Sequence, residues 1–238
     1  MKLSRLFANF TLASTITAVS LLGLAVKAQS GDLFGGVING LSWEGRTQII
    51  NTGGWDSDIA VKNGYVYWTK DDNLYGARIN GLNWGGNAKV INTGGWINTN
   101  IAVENGYVYW IKDDNLYGAR INGLNWGGNA KVINTGGWRN STIAIKNGYI
   151  YWVKDDNLYG ARINGLNWGG DAKVINTGGW RYSDIAVESG YIYWGKDDNL
   201  YGARINGLNW GGDAKVINTG GWRYSTIAVN ERYIYLTK

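Results

Sequence analysis

The 238-residue chain contains no cysteine, no histidine and no proline. Without cysteine it has no disulfide framework and no thiolate nucleophile, so whatever it forms is held by packing. Without histidine it lacks the commonest general base and the commonest zinc and copper ligand. The aromatic residues are also lopsided: 3 Phe against 14 Trp and 16 Tyr, set among 37 Gly. That mixture suits tight turns around flat, rigid, amphipathic side chains.

The first residues read as a secretory signal. Lys2 and Arg5 precede the uncharged, largely apolar run Leu6–Val26, and Val26-Lys27-Ala28 carries small residues where a signal peptidase cuts. The expectation is a signal peptide over 1–28, a mature domain over 29–238, and export to the periplasm or the extracellular space, with no membrane insertion of the mature chain. No cysteine follows the run, so a lipoprotein anchor is excluded. Once Lys2, Arg5 and Lys27 are removed, 20 bases face 18 acids. That balance gives no electrostatic case for a nucleic-acid partner.

The rest of the chain is one unit written five times. NWGGNAKVINTGGW at Asn83–Trp96 recurs unchanged at Asn125–Trp138, and with one Asn→Asp difference at Asn167–Trp180 and Asn209–Trp222. SWEGRTQIINTGGW at Ser42–Trp55 is a looser copy. The closing tryptophans stand at 55, 96, 138, 180 and 222, a period of about 42 residues. Within a unit four short runs of strand formers alternate with turns. In one example Ile185-Ala186-Val187, Tyr191–Trp194, Leu200–Ile205 and Ala214–Ile217 are separated by Glu188-Ser189-Gly190, Lys196–Asn199 and Asn206-Gly207. Four antiparallel strands per unit predict an all-β chain folded as a five-bladed β-propeller. The mature sequence opens on the third strand of a blade, Leu33–Ile38, and stops on the second, Tyr233–Leu236. Pairing of the N- and C-terminal strands is therefore expected to complete the fifth blade and close the ring.

The pattern Asn-Trp-x-Gly-x-Ala-Lys-x-Ile-x-x-Gly-Gly-Trp resembles the repeat of tachylectin, a five-bladed propeller lectin for N-acetylated amino sugars. The likeness runs from Leu33 to Lys238, although the units here are shorter. It implies sugar sites between adjacent blades, one per repeat. A second similarity is to YWTD propellers, carried by Tyr65–Lys70 and Arg78–Asn83. It implies the same blade topology but a protein or peptide partner.

The residues themselves fit sugar recognition. An indole covers the apolar C–H face of a pyranose while amides and backbone groups bond its hydroxyls, and glycines let the backbone approach closely. The candidate sugar-binding residues are Asn83 with Trp84, Asn125 with Trp126, Asn167 with Trp168 and Asn209 with Trp210, then Trp43, which follows Ser42, and the closing Trp55, Trp96, Trp138, Trp180 and Trp222. For the closing five a wedge between blades is the competing reading. Trp68, Trp110, Trp152 and Trp194, inside the second strand, read as core. A single sugar site is weak, about −4 kcal/mol at millimolar affinity. Several on one chain raise avidity toward a glycan-bearing surface by roughly 10² to 10⁴. The expected partners are therefore surface glycans or glycoconjugates.

Two features invite other chemistry. Asp71-Asp72, Asp113-Asp114, Asp155-Asp156 and Asp197-Asp198 are paired carboxylates, as glycosidases use. They recur once per blade in a turn, however, and identical copies supply no asymmetric constellation. They are also a thin oxygen set for calcium. No catalytic residue, metal or cofactor is expected, and the protein reads as a non-enzyme. The units differ most just after Gly-Gly-Trp, where Arg139, Arg181 and Arg223 are placed to tune ligand choice if those loops line the sites.

Overall fold

The computed structural model describes residues 31–55 and 57–237, and these form strands and turns only. The expected signal peptide lies outside the described residues. The first blade consists of Ile59–Lys62, Tyr65–Lys70, Asn73–Asn80 and an outer strand in two pieces, Asn83–Trp84 and Lys89–Thr93. The pattern repeats over 101–135, 142–177 and 185–219. Neighbouring strands are antiparallel throughout.

Each hairpin turns in two residues, and the sequence supplies the chemistry. Asn63 and Gly64 (φ +50° and +76°) and then Asp71 and Asp72 (+48° and +61°) hold the paired left-handed conformation that matches strand twist. The second strand is buried on both faces, Val66 0%, Tyr67 3% and Trp68 6% exposed, because each face meets a neighbouring sheet.

The fifth blade is assembled from both chain ends, in the order Ser42–Asn51, Leu33–Asn39, Tyr233–Thr237, Thr226–Asn230. Leu33 pairs with Thr237 and Val37 with Tyr233, which closes the ring as the split repeat predicts. The five inner strands then neighbour one another in a circle around the axis. Between each pair of blades lies one apolar cluster. Ala60, Tyr67, Leu74 and Ile91 of the first blade meet Ile101, Val108, Trp110 and Ile121 of the second. Gly118 marks how tightly the blades mesh, since a Cβ there would lie 2.7 Å from both Ile133 of its own blade and Leu166 of the next.

A tyrosine hydroxyl crosses every junction. Tyr67, Tyr109, Tyr151, Tyr193 and Tyr235 donate to the carbonyls of Gly123, Gly165, Gly207, Gly40 and Gly81 at 3.0–3.1 Å. Burial pushes all five hydroxyls upward in pKa, so they remain donors. At one end of the axis the inner strands finish on Lys62, Glu104, Lys146, Glu188 and Asn230. Ion pairs Lys62–Glu104 (2.6 Å) and Lys146–Glu188 (2.7 Å) knit this end. At the other end, the mouth, stand Asp58, Asn100, Thr142, Asp184 and Thr226.

Candidate functional site

The site is built from the segment that leaves one blade and enters the next. In Asn92-Thr93-Gly94-Gly95-Trp96 the two glycines sit at φ +79° and +90°, a conformation open to them and strained for other residues. The loop they form is closed by Trp96, whose Nε1–H donates to Asn92 Oδ1 at 2.9 Å. The same bond joins Trp55 to Asn51, Trp138 to Asn134, Trp180 to Asn176 and Trp222 to Asn218.

The second acid of each turn holds the loop from behind. Asp72 accepts the backbone N–H groups of Gly95 and Trp96, both at 2.7 Å, and Asp114 those of Gly137, Trp138 and Arg139. These backbone bonds hold the carboxyls of Asp72, Asp114 and Asp156 below the usual range. The carboxylate pairs are thus loop anchors, with the second member already engaged.

The closing tryptophans take the wedge position that is one of the two readings open to them. Trp55, Trp96, Trp138, Trp180 and Trp222 are only 2–3% exposed, and Trp96 reaches the outer cleft in front of Trp126. Each is a wedge: Trp96 packs on Trp110 of the second blade at 4.8 Å between ring centroids. Trp68, Trp110, Trp152 and Trp194 are core, as expected, and stack on Tyr75, Tyr117, Tyr159 and Tyr201 with planes within 12–15°.

The opening tryptophans lie differently. Trp84, Trp126, Trp168 and Trp210 are half-buried at the outer edge of the blade, each perpendicular to the closing tryptophan of the preceding cassette. In front of Trp126 a cleft of about 360 Å³ opens between the first and second blades. Its aromatic wall is Trp96, Trp110, Tyr117 and Trp126, of which Tyr117 and Trp126 are half-buried; Asn92, Gly94 and Gly95 face it from the first blade, and Lys112, Asp113 and Asn129 add polar groups. Half-exposed aromatic surface ringed by a few polar groups is the make-up of a small-ligand pocket. The sequence places the same residue types around Trp84, Trp168 and Trp210, with Asp171 and Asp213 in place of Asn129 in the last two.

The partnering asparagines do not line that cleft. Asn125, Asn167 and Asn209 are exposed and accept from Lys89, Lys131 and Lys173 of the preceding blade at 2.9–3.1 Å, while Asn83 donates to Asn80 O. The fifth blade departs most. Leu236 and Phe34 stand in the ladder positions that Trp194 and Tyr201 hold in the fourth. Trp43 folds over Gly36, where a Cβ would be 2.3 Å from its ring, and its Nε1–H donates to Gly45 O.

The loops after Gly-Gly-Trp face the mouth, where the sequence reading singled out arginines but missed the tyrosines beside them. Tyr182 and Tyr224 are left-handed (φ +61° and +60°) and 79% exposed. Asn98 and Asn140 hold the corresponding positions of the second and third loops, at φ +52° and +60°. A left-handed non-glycine residue costs about 1–2 kcal/mol, less for Asn. The guanidiniums of Arg181 and Arg223 lie 5.1 and 5.3 Å from the two rings. An exposed cation–π pair offsets about 0.5–1 kcal/mol of that. The signal was available: an aromatic residue stands where sister repeats carry a turn-former.

No family model and no curated protein matches the sequence. Among solved structures, the chain is similar to a calcium-binding protein, regucalcin, from Agrobacterium tumefaciens, with 12% identity, 77% of this chain and 66% of that one covered, and a TM-score of 0.49. It is also similar to glutaminyl cyclase from Myxococcus xanthus (11%, 76% and 89%, 0.48) and to apo AztD from Citrobacter koseri (10%, 85% and 64%, 0.40). Likeness at this level carries no function to this chain.

Proposed function

We propose that the protein is an exported, non-enzymatic, multivalent carbohydrate-binding propeller whose sites are the outer clefts between blades. The observation that carries this reading is the cleft in front of Trp126, where half-exposed indole and phenol meet amide, lysine and backbone groups between two blades. The tachylectin resemblance supports N-acetylated amino sugars as the ligands, and its interblade placement of sites agrees with the cleft. Four clefts keep the full aromatic ladder; in the fifth, Leu236 and Phe34 replace two of its rings and Trp43 packs on Gly36. The reading is therefore four working sites, centred on Trp84, Trp126, Trp168 and Trp210. Of their Asn neighbours, Asn125, Asn167 and Asn209 act by orienting the blade edge through the lysine bonds.

The test is retention on immobilised N-acetylglucosamine and N-acetylgalactosamine. The protein should be retained, and the fourfold variant Trp84→Ala, Trp126→Ala, Trp168→Ala, Trp210→Ala should flow through while keeping its strand signal in circular dichroism. Retention of that folded variant would refute the assignment of the clefts. The protein-partner alternative implied by the Tyr-Trp-Thr-Lys similarity predicts no retention and one partner per ring.

A further inference from the structure

The clefts at the channel mouth differ in charge. Between the first two blades, a cleft of about 640 Å³ sets Asp71 and Asp72 against the single cation Lys70, with Asp58 beside them. Between the third and fourth, a cleft of about 490 Å³ is lined by Arg139, Lys154 and Arg181, with Asp155 and Asp156. Asp156 is engaged by the backbone N–H groups of Trp180 and Arg181 at 2.7 and 2.8 Å. Among the described residues neither arginine takes part in an ion pair. Three cations thus face two carboxylates, and the two arginines reach the cleft from two different blade junctions.

The neighbouring groups suit a hydroxyl-bearing ligand. Thr142 and Ser183 line the same cleft, and the Ser183 hydroxyl is buried without a partner. Tyr182 completes the wall in a strained backbone conformation that burial does nothing to offset, one face of its ring under Arg181. Strain held at an exposed aromatic residue marks a position kept for contact.

We propose that this cleft is a second binding site, for an acidic saccharide: a sugar whose carboxylate or sulfate is met by Arg139 and Arg181 and whose ring rests against Tyr182. Arginine suits either anion because its planar fork donates two parallel hydrogen bonds. The site is single. The corresponding position between the fourth and fifth blades keeps Arg181, Lys196, Arg223 and Tyr224, but has Asp184 in place of the Thr142 hydroxyl and Gly195 in place of Val153. The proposed site adjoins the outer cleft in front of Trp168, to which Lys154 and Asp155 correspond as Lys112 and Asp113 do at Trp126, but Arg139, Arg181 and Tyr182 belong to the mouth.

The experiment is titration calorimetry of the full chain with trigalacturonate, with a chondroitin 4-sulfate tetrasaccharide and with neutral chitotriose. One acidic probe should bind, the carboxylate or the sulfate arm identifying the anion. Its affinity should fall several-fold between about 50 and 300 mM NaCl as the charges are screened. It should also fall by about tenfold or more in Arg139→Gln/Arg181→Gln, the loss expected when charge-assisted bonds are removed. Tyr182→Asn, with the residue that sister loops tolerate, should weaken it without unfolding the protein. Chitotriose binding should be unaffected by these variants, so it reports the outer clefts separately. The proposal is overturned if neither acidic probe binds at the lower salt, if the double variant binds them unchanged, or if a polyglutamate peptide is preferred to both.

Discussion

Trp126 stands edge-on to Trp96, ring centroids 5.9 Å apart and planes at 90°, although Trp96 closes one cassette and Trp126 opens the next. The two tryptophans of a single cassette therefore serve different blades. Trp84 finishes the aromatic ladder of the first blade, and Trp96 begins that of the second. What repeats in the sequence is the joint between blades, and this is why its residues change so little: an alteration on one side must fit the other.

That joint predicts a division among the tryptophans. Trp138→Ala should destabilise the protein by about 3–5 kcal/mol, as for a buried aromatic residue removed from a packed core. Trp126→Ala, at a half-exposed edge, should cost less than half of that while removing a sugar site. Urea denaturation of the two variants checks the difference.

Asn134→Ala leaves the buried Trp138 Nε1–H without its acceptor at 2.9 Å. The expected loss is about 1–3 kcal/mol, the penalty for an unsatisfied buried donor. Asn134→Asp keeps an acceptor and should lose less in the same denaturation experiment.

The mouth carboxylates give stability a pH dependence of definite sign. Burial raises the Asp58 carboxyl well above its ordinary value, with the charge of Asp184 adding to the effect, and burial raises Asp184 to about 7. The folded state therefore holds protons that the unfolded chain releases. This stabilising contribution is full below the unfolded value of 3.8 and is lost as pH rises through about 7. Asp184→Asn, which keeps an acceptor for the Ile227 N–H and copies Asn100 of the second loop, should stabilise by about 1 kcal/mol or more at pH 8, one pKa unit being worth about 1.4 kcal/mol, and by next to nothing at about pH 3. Asp72, Asp114 and Asp156 have the opposite sign: their contribution is present above the unfolded value and disappears as pH falls through their depressed ones. Thermal melts from pH 3 to 9 separate the two limbs.

Tyr182→Asn should raise stability by about 0.5–1 kcal/mol, because Asn accepts the left-handed backbone that Tyr occupies under strain. A fall in melting temperature would show that the Arg181 contact outweighs that strain.

The fold was legible because its signals are local and repeated. Asn63-Gly64 and Asp71-Asp72 announce two-residue hairpins, and Tyr65–Trp68, apolar on both faces, announces a sheet between sheets. Ring closure was legible because Leu33–Asn39 and Tyr233–Thr237 are complementary parts of one repeat. The site was legible only in part. The spacing within Asn83–Trp96 cannot reveal that its ends face different blade junctions, since that depends on how sheets stack. Asn125 looked like a sugar ligand because it precedes Trp126, yet strand alternation turns it toward Lys89. The role of Asn92 depended on a hydrogen bond four residues along, inside a loop made possible by two left-handed glycines. Tyr182 was legible in principle, from its place where Asn140 stands in the preceding unit.

The most direct test of the central claim is the number of neutral sugars bound per chain. Calorimetric titration of the full chain with N-acetylglucosamine and with chitobiose should give four equivalent weak sites, falling to three in Trp126→Ala. A single site, or none with any neutral sugar while the protein remains folded, would contradict the account and return Trp84, Trp126, Trp168 and Trp210 to the packing of the blades.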